Sequence, residues 1–213
     1  MVWQESASLL LPSLICHISL GRLFLEAEGQ IRSFIAVDVE RSELIGRLEE
    51  IQREIQSSEA DLRSVERGNL HITMRFLGDI SPSMAERVVE MLKRINFESF
   101  PATLQGVGVF PKMAFPRVIW VGVARGKVNL VDIHRQLEAG LSQLGFRPEH
   151  DAYIPHITLF RVRSGRHKES LIEALQKHQE TEFGEFDVKA IQLKRSILTP
   201  KGPIYSTIGE TRR

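Results

Sequence analysis

Leu70-His71-Ile72-Thr73-Met74 and Pro155-His156-Ile157-Thr158-Leu159 carry one pattern twice, with the two histidines 85 positions apart. Each copy lies in a short apolar run rich in β-branched residues, which predicts a strand. Side chains alternate along a strand, so His71 shares a face with Thr73 and His156 with Thr158, each pair roughly 7 Å apart. An imidazole beside a hydroxyl, supplied twice, suits phosphate-ester chemistry without a metal. One histidine takes a proton, the other gives one, and two hydroxyls hold phosphate oxygens. A single His-Ile-Thr reads more readily as a half-buried sheet position than as a site. Two copies at the middle of two similar chain halves point to a site.

Outward from these strands the pattern alternates. Arg32 to Val39 predicts a buried strand, and residues 41–56 a helix with Leu44, Leu48, Ile51 and Ile55 on one face. The first motif strand runs from Leu70 to Leu77 and Gly78 ends it; Ser81-Pro82 then opens a helix. Strands follow over Ala102 to Phe110 and Arg117 to Ala124. The second half repeats the order, with a helix over 129–144 stopped by Gly145, the motif strand His156 to Val162 and a helix from Lys168 to His178. Strands from Phe186 to Leu198 and Ile204 to Ile208 close the chain. Interleaved helices and strands predict a compact α+β protein of two related lobes, each with a central motif strand.

The 213 residues, 42% hydrophobic and 26% charged, belong to an ordinary globular composition. The single cysteine, Cys16, excludes an intrachain disulfide and fits a reducing, cytoplasmic setting. The formal charge of +1 gives no global sign of nucleic acid, but Arg161, Arg163, Arg166 and Lys168 follow the second motif with no acid between them. Such a run could attract a polyanion. Residues 1–30 do not fit the pattern. Ser8 to Ile15 is apolar but interrupted by Pro12, too short to span a bilayer and without a basic leader. They read as an appendage, in keeping with an over-long translation start, and the fold is expected over 31–209, in approximate halves 31–125 and 126–209.

These residues resemble the two-histidine (2H) phosphoesterase superfamily, and within it the RNA 2′,3′-cyclic phosphodiesterases, historically called 2′-5′ RNA ligases. The resemblance rests on Arg32-Ser33-Phe34-Ile35-Ala36-Val37, on His71 to Gly78, and on Gly106 to Pro111 followed by Pro116-Arg117-Val118-Ile119-Trp120. It continues through Pro155 to Arg161 and Ser196 to Tyr205. It implies a bilobal α+β fold with pseudo-two-fold symmetry, two antiparallel sheets facing a central cleft and helices outside. It also implies metal-free and cofactor-free hydrolysis of RNA or nucleoside 2′,3′-cyclic phosphate ends to 2′-phosphates. His71 would be the proton donor, His156 the proton acceptor, and Thr73 and Thr158 the ligands of the phosphate oxygens. The expected partners are RNA ends or small cyclic nucleotides, for a monomer with no membrane and no obligate protein partner.

Met74 stands where the family more often has Leu, and Phe160 where it usually has a small residue. Strand parity puts Phe160 on the His156 face, where it would narrow the cleft or stack on a base; packing against a neighbouring strand is the equal alternative. Parity also puts Arg75 beside His71 and Thr73, as a phosphate or RNA contact. Arg161 falls on the face opposite His156 unless a bulge re-aims it. His134 and His178 read as solvated helix positions, and His150, Asp151 and His156 lack the further ligands of a metal site. Ligation of a cyclic phosphate end to a 5′-hydroxyl is the alternative within the same site. An RNA-binding module that holds phosphate without turnover is the rival from another class. A nucleotide-dependent enzyme lacks a Walker-type loop.

Overall fold

The computed structural model describes residues 29–200 and 202–211, so residues 1–28 of the expected appendage lie outside the described residues. The chain runs β1 (Ile31–Asp38), α1 (Ser42–Gln56), β2 (Leu62–Ser64), β3 (His71–Ile80), α2 (Pro82–Leu92), β4 (Phe100–Lys112), β5 (Phe115–Val123) and α3 (Lys127–Gln143). It continues with β6 (His156–Val162), α4 (Lys168–Gln176), β7 (Glu182–Val188), β8 (Gln192–Thr199) and β9 (Gly202–Glu210).

The helices form where the apolar spacing requires. α1 buries Leu44, Leu48, Ile51 and Ile55, and α3 buries Leu130, Ile133, Leu137 and Leu141. Ser81 caps α2 by accepting from the Met84 N–H at 3.1 Å, with Pro82 in the first turn, where its missing donor costs nothing. α3 ends as expected at Gly145, whose φ of +92° lets the Phe146 N–H reach back to the Leu141 carbonyl.

The strands form one antiparallel sheet in the order β7-β4-β5-β6-β3-β1-β8-β9, with β2 added to β6. The two expected sheets are its halves. They meet at a single residue pair, Ile72 with Ile157, both fully buried. Helices α2 and α3 pack together, with α2 on β8 and β9; α1 and α4 pack together against strands of the β4–β7 half. Each spatial half draws strands from both 31–125 and 126–209, so the lobes are not the two halves of the chain.

That crossing explains a difference from the sequence reading. Phe186 to Leu198 is not one strand but two, β7 and β8, at opposite ends of the sheet order. Val188 and Ile191 are both fully buried, three positions apart, which a continuous alternating strand does not allow. Gly78 does not end β3 either. With φ of +74° it sits at a register shift against β1, and the strand continues to Ile80. β2 is too short and too polar to have a sequence signature.

Because one apolar core spans both halves, Ile157→Ala deletes packing where they join. The expected loss is about 2–5 kcal/mol, seen as a lower urea midpoint with unchanged slope. A second unfolding transition would show instead that the halves are held independently.

Candidate active site

His71 and His156 open β3 and β6, immediately before the paired isoleucines. Antiparallel register about Ile72 and Ile157 therefore aligns His71 with Thr158 and Thr73 with His156. Alternation turns all four side chains to the same face, away from the buried isoleucines. Each histidine stands across from the other motif's threonine.

Both motif strands then bulge at the same point. In β3, Thr73 pairs with Ala36 and Arg75 with Ile35, leaving Met74 as the extra residue. In β6, Thr158 pairs with Trp120 and Phe160 with Ile119, leaving Leu159. A one-residue bulge reverses the parity of everything after it. Phe160 is consequently turned into the core, 0% exposed, and neither narrows the cleft nor offers a stacking surface. Arg75 is turned away as well. It forms ion pairs with Glu138 at 2.7 Å and with Glu149, and it donates to the Arg147 carbonyl, so its charge is committed away from the motif face.

The same reversal brings two other residues to the cleft. Arg161 is exposed and reaches across to the other half of the sheet. Burial raises the pKa of the Tyr205 hydroxyl, and the Arg161 and Arg32 charges act on it in the opposite sense. Phe76, which the sequence reading did not single out, is 60% exposed opposite Phe34, their rings 6.1 Å apart. Its signal was the first motif itself: the bulge that re-aims Arg161 on β6 re-aims Phe76 on β3.

Both bulges are pinned by a polar side chain. The Leu159 carbonyl accepts from the Val65 N–H at 2.8 Å and from buried Gln52 Nε2 at 3.1 Å. Tyr153 donates to the Thr73 carbonyl at 3.3 Å and contacts Met74 Sδ at 3.0 Å. Tyr153 is itself stacked on His134, ring centroids 4.2 Å apart. His134 is thus buried rather than solvated, because its helix face meets the segment leading into β6.

Each motif imidazole is held in the same way. His71 Nδ1–H donates to the Asn69 carbonyl at 2.8 Å, and His156 Nδ1–H to the Ile154 carbonyl at 2.6 Å, two residues back in both cases. This leaves Nε2 as the nitrogen not engaged by backbone. In His71 it lies 3.0 Å from Thr73 Oγ1. Aromatic rings wall both sites. Phe34 and Tyr205 lie 5.0 and 5.4 Å from His71, and Phe110 and Trp120 lie 5.0 and 5.8 Å from His156. Trp120 lies over Gly108, where a Cβ would come within 2.2 Å of its ring.

Burial pushes the His71 imidazole down to about 4, opposed by its bond to Asn69 and by Asp38, and aided by Lys194 and His156. Burial also lowers His156, against its bond to Ile154. Asp38 is the cross-strand partner of His71 and is ion-paired with Lys194. Among the described residues no three His, Cys, Asp or Glu side chains gather as metal ligands.

The fold and site define a bilobal α+β protein with two equivalent His-x-Thr half-sites where the halves of one sheet join. A family model of the 2′-5′ RNA ligase superfamily matches residues 38–197, and the chain belongs to that superfamily. The RNA 2′,3′-cyclic phosphodiesterase of Aeropyrum pernix is 39% identical over 169 residues, 79% of this chain and 96% of that protein. The protein of the same name from Methanothermobacter thermautotrophicus is 36% identical over 83% of this chain and 96% of its own length. Among solved structures, a Thermus thermophilus protein is 27% identical with a TM-score of 0.69, covering 85% of this chain and 97% of that one. Escherichia coli LigT bound to 3′-AMP shares the fold, with a TM-score of 0.71 at 22% identity and the same coverages.

The His71 shift has a consequence for stability. The unfolded imidazole titrates near 6.5 and the folded one near 4, so between these values the unfolded chain binds more protons. Stability from the neutral buried ring is present above about 6.5 and is lost as pH falls through that window. Thermal melts at stepped pH should show this decline, and His71→Gln should make it shallower. Parallel profiles for the two proteins would mean that His71 is not buried neutral.

Proposed function

We propose that this chain opens 2′,3′-cyclic phosphate ends of RNA to 2′-phosphates by paired-histidine acid and base catalysis. The observation that carries this reading is the pairing of two imidazoles, each tethered through Nδ1, by a register that sets each histidine across from the other motif's threonine. Relatives at 39% and 36% identity bear the name of this activity. A single cysteine fits a cytoplasmic setting, and no helix among the described residues is long and apolar enough to cross a membrane. Both half-sites lie in one chain, which suits a monomer.

In the reaction, His156 Nε2 takes a proton from water as the water oxygen bonds to phosphorus. The bond from phosphorus to O3′ breaks, and O3′ takes a proton from His71. Thr73 and Thr158 hold the non-bridging oxygens. The 3.0 Å contact between Thr73 Oγ1 and His71 Nε2 adds a linkage. The threonine hydroxyl donates to the neutral ring; once Nε2 is protonated, that hydroxyl is released to donate to phosphate.

Asp38 supports His71 as the acid, because its carboxylate favours the imidazolium and it pairs with His71 alone across the strands. Burial works the other way and keeps His71 neutral in the empty cleft. The proton therefore becomes stable there when the anionic phosphate enters. Phe76 and Arg161 flank the cleft from opposite halves, one offering a ring face to a base and the other a planar cation to phosphate.

Assays on a 2′,3′-cyclic nucleotide with EDTA present should yield the 2′-phosphate. His71→Ala and His156→Ala should each lower turnover about 10²–10⁴-fold, and the double variant should lose far less than the product. Replacing O3′ by sulfur gives a leaving group that needs no acid, so activity should return to His71→Ala but not to His156→Ala. Rescue of the other variant would exchange the two roles; full activity in either single variant would end the reading.

The pH profile tests the same pair independently. Because both free imidazoles are lowered, the bell in kcat/KM should have both limbs on the acid side of 6.5, as values belonging to the pair. A kcat/KM that stayed flat from about pH 4 to 8 would exclude histidine as acid and base.

A further inference from the structure

The basic run after the second motif is only partly accounted for by the cleft. Arg161 faces it, but Arg166 and Lys168 lie beyond, where the β6–α4 connection meets the tip of the β4–β5 hairpin. At that tip Lys112 and Phe115 pair across the two strands. Phe115 is 61% exposed, and the Nζ atoms of Lys112 and Lys168 each lie 5.4 Å from its ring centre. Among the described residues none of Lys112, Arg161, Arg166 and Lys168 has a carboxylate within ion-pairing distance. Lys168 also opens α4, where the helix dipole disfavours a cation, so helix stability does not explain it.

We propose that Lys112, Phe115 and Lys168 form a second RNA-binding site that grips the strand on its way out of the cleft. This rests on the cleft's being a cyclic-phosphate site. Exposed cations around an exposed ring are what single-stranded nucleic acid needs: charge for the phosphates and a face for a base. The two sites are joined along β5. Trp120 is opposite Thr158, Val118 is opposite Arg161, and Phe115 is three residues further on. From Trp120 to Phe115 the strand covers about 17 Å. A stacked strand rises about 3.4 Å per nucleotide, so the hairpin tip falls roughly five nucleotides from the cyclic end, and the ring lies beyond it. Arg161 and its cross-strand neighbour Arg63 stand between, so positive charge continues along the route. The Phe115 ring lies beside Lys168 at the start of α4, and the proposed RNA path therefore turns over the hairpin tip.

The test compares three substrates: a 2′,3′-cyclic mononucleotide, a trinucleotide and a single-stranded octanucleotide with cyclic phosphate ends. The double variant Lys112→Glu/Lys168→Glu should raise KM for the octanucleotide about ten-fold and flatten its salt dependence. Phe115→Ala should raise that KM about three-fold or more with the salt slope retained. Both variants should match wild type on the two short substrates, which cannot reach the tip. An unchanged octanucleotide KM overturns the proposal, as does an equal loss on all three substrates. If wild type hydrolyses none of them, the cleft reading has failed. Fluorescence anisotropy with an octanucleotide ending in a 2′-phosphate then decides the grip by itself, with weaker binding by the double variant expected and equal binding refuting it.

Discussion

The two half-sites depend on one residue pair. Ile72 and Ile157 are the only residues through which β3 and β6 pair, and both are fully buried β-branched side chains suited to a sheet interior. Had the two strands paired along their whole length, the motif face would be a continuous surface with no opening. Without any pairing, the histidines would be fixed only to their own halves. A single pair does both jobs: it sets the register that puts each histidine opposite the other motif's threonine, and it leaves the strands free to diverge. Beyond it β6 takes β2 as its neighbour, so the remaining backbone donors and acceptors on that edge are satisfied without closing the groove.

The paired bulges complete the site. A bulge leaves a backbone carbonyl without its ladder partner, and buried carbonyls need a donor. Gln52 and Val65 supply it at Leu159, and Tyr153 supplies it beside Met74. Tyr153 lies three residues before His156, so its hydroxyl ties the first motif to the segment that carries the second. Arg75 strengthens the same tie from the strand side through Glu149 and the Arg147 carbonyl. The arginine expected to meet substrate is instead part of what holds the two motifs in register.

Much of this was legible in the sequence, and the misassigned strand faces have one cause. The helices followed from apolar spacing, the motif strands from β-branched runs, and the four His and Thr positions from the repeat. What parity could not foresee was an inserted residue. Arg75, Phe160, Phe76 and Arg161 all lie after the bulges, and their faces are the reverse of what alternation predicts. The bulge residues, Met74 and Leu159, are ordinary apolar strand residues with no local mark. Splitting Phe186 to Leu198 into two strands has a similar origin, since its break lies in an apolar stretch with neither Gly nor Pro. The lobes' composition from both chain halves is a matter of topology, which no local pattern encodes.

The site is symmetric in its atoms and asymmetric in its charge. Both imidazoles donate Nδ1–H to a carbonyl two residues back, which fixes the ring without adding charge. A carboxylate in that place would have favoured the imidazolium at all times. With a neutral acceptor and substantial burial, both rings resist protonation. Asp38 then distinguishes them, because it lies across from His71, whereas His156 faces Gly122. Burial is the larger influence that keeps His71 neutral, and Lys194, paired with Asp38, opposes the carboxylate's pull in the same sense. An acid and a base of the same residue type need such a bias. In the proposed reaction the half-buried Asp38–Lys194 ion pair, present on one half of the duplicated site, would provide it.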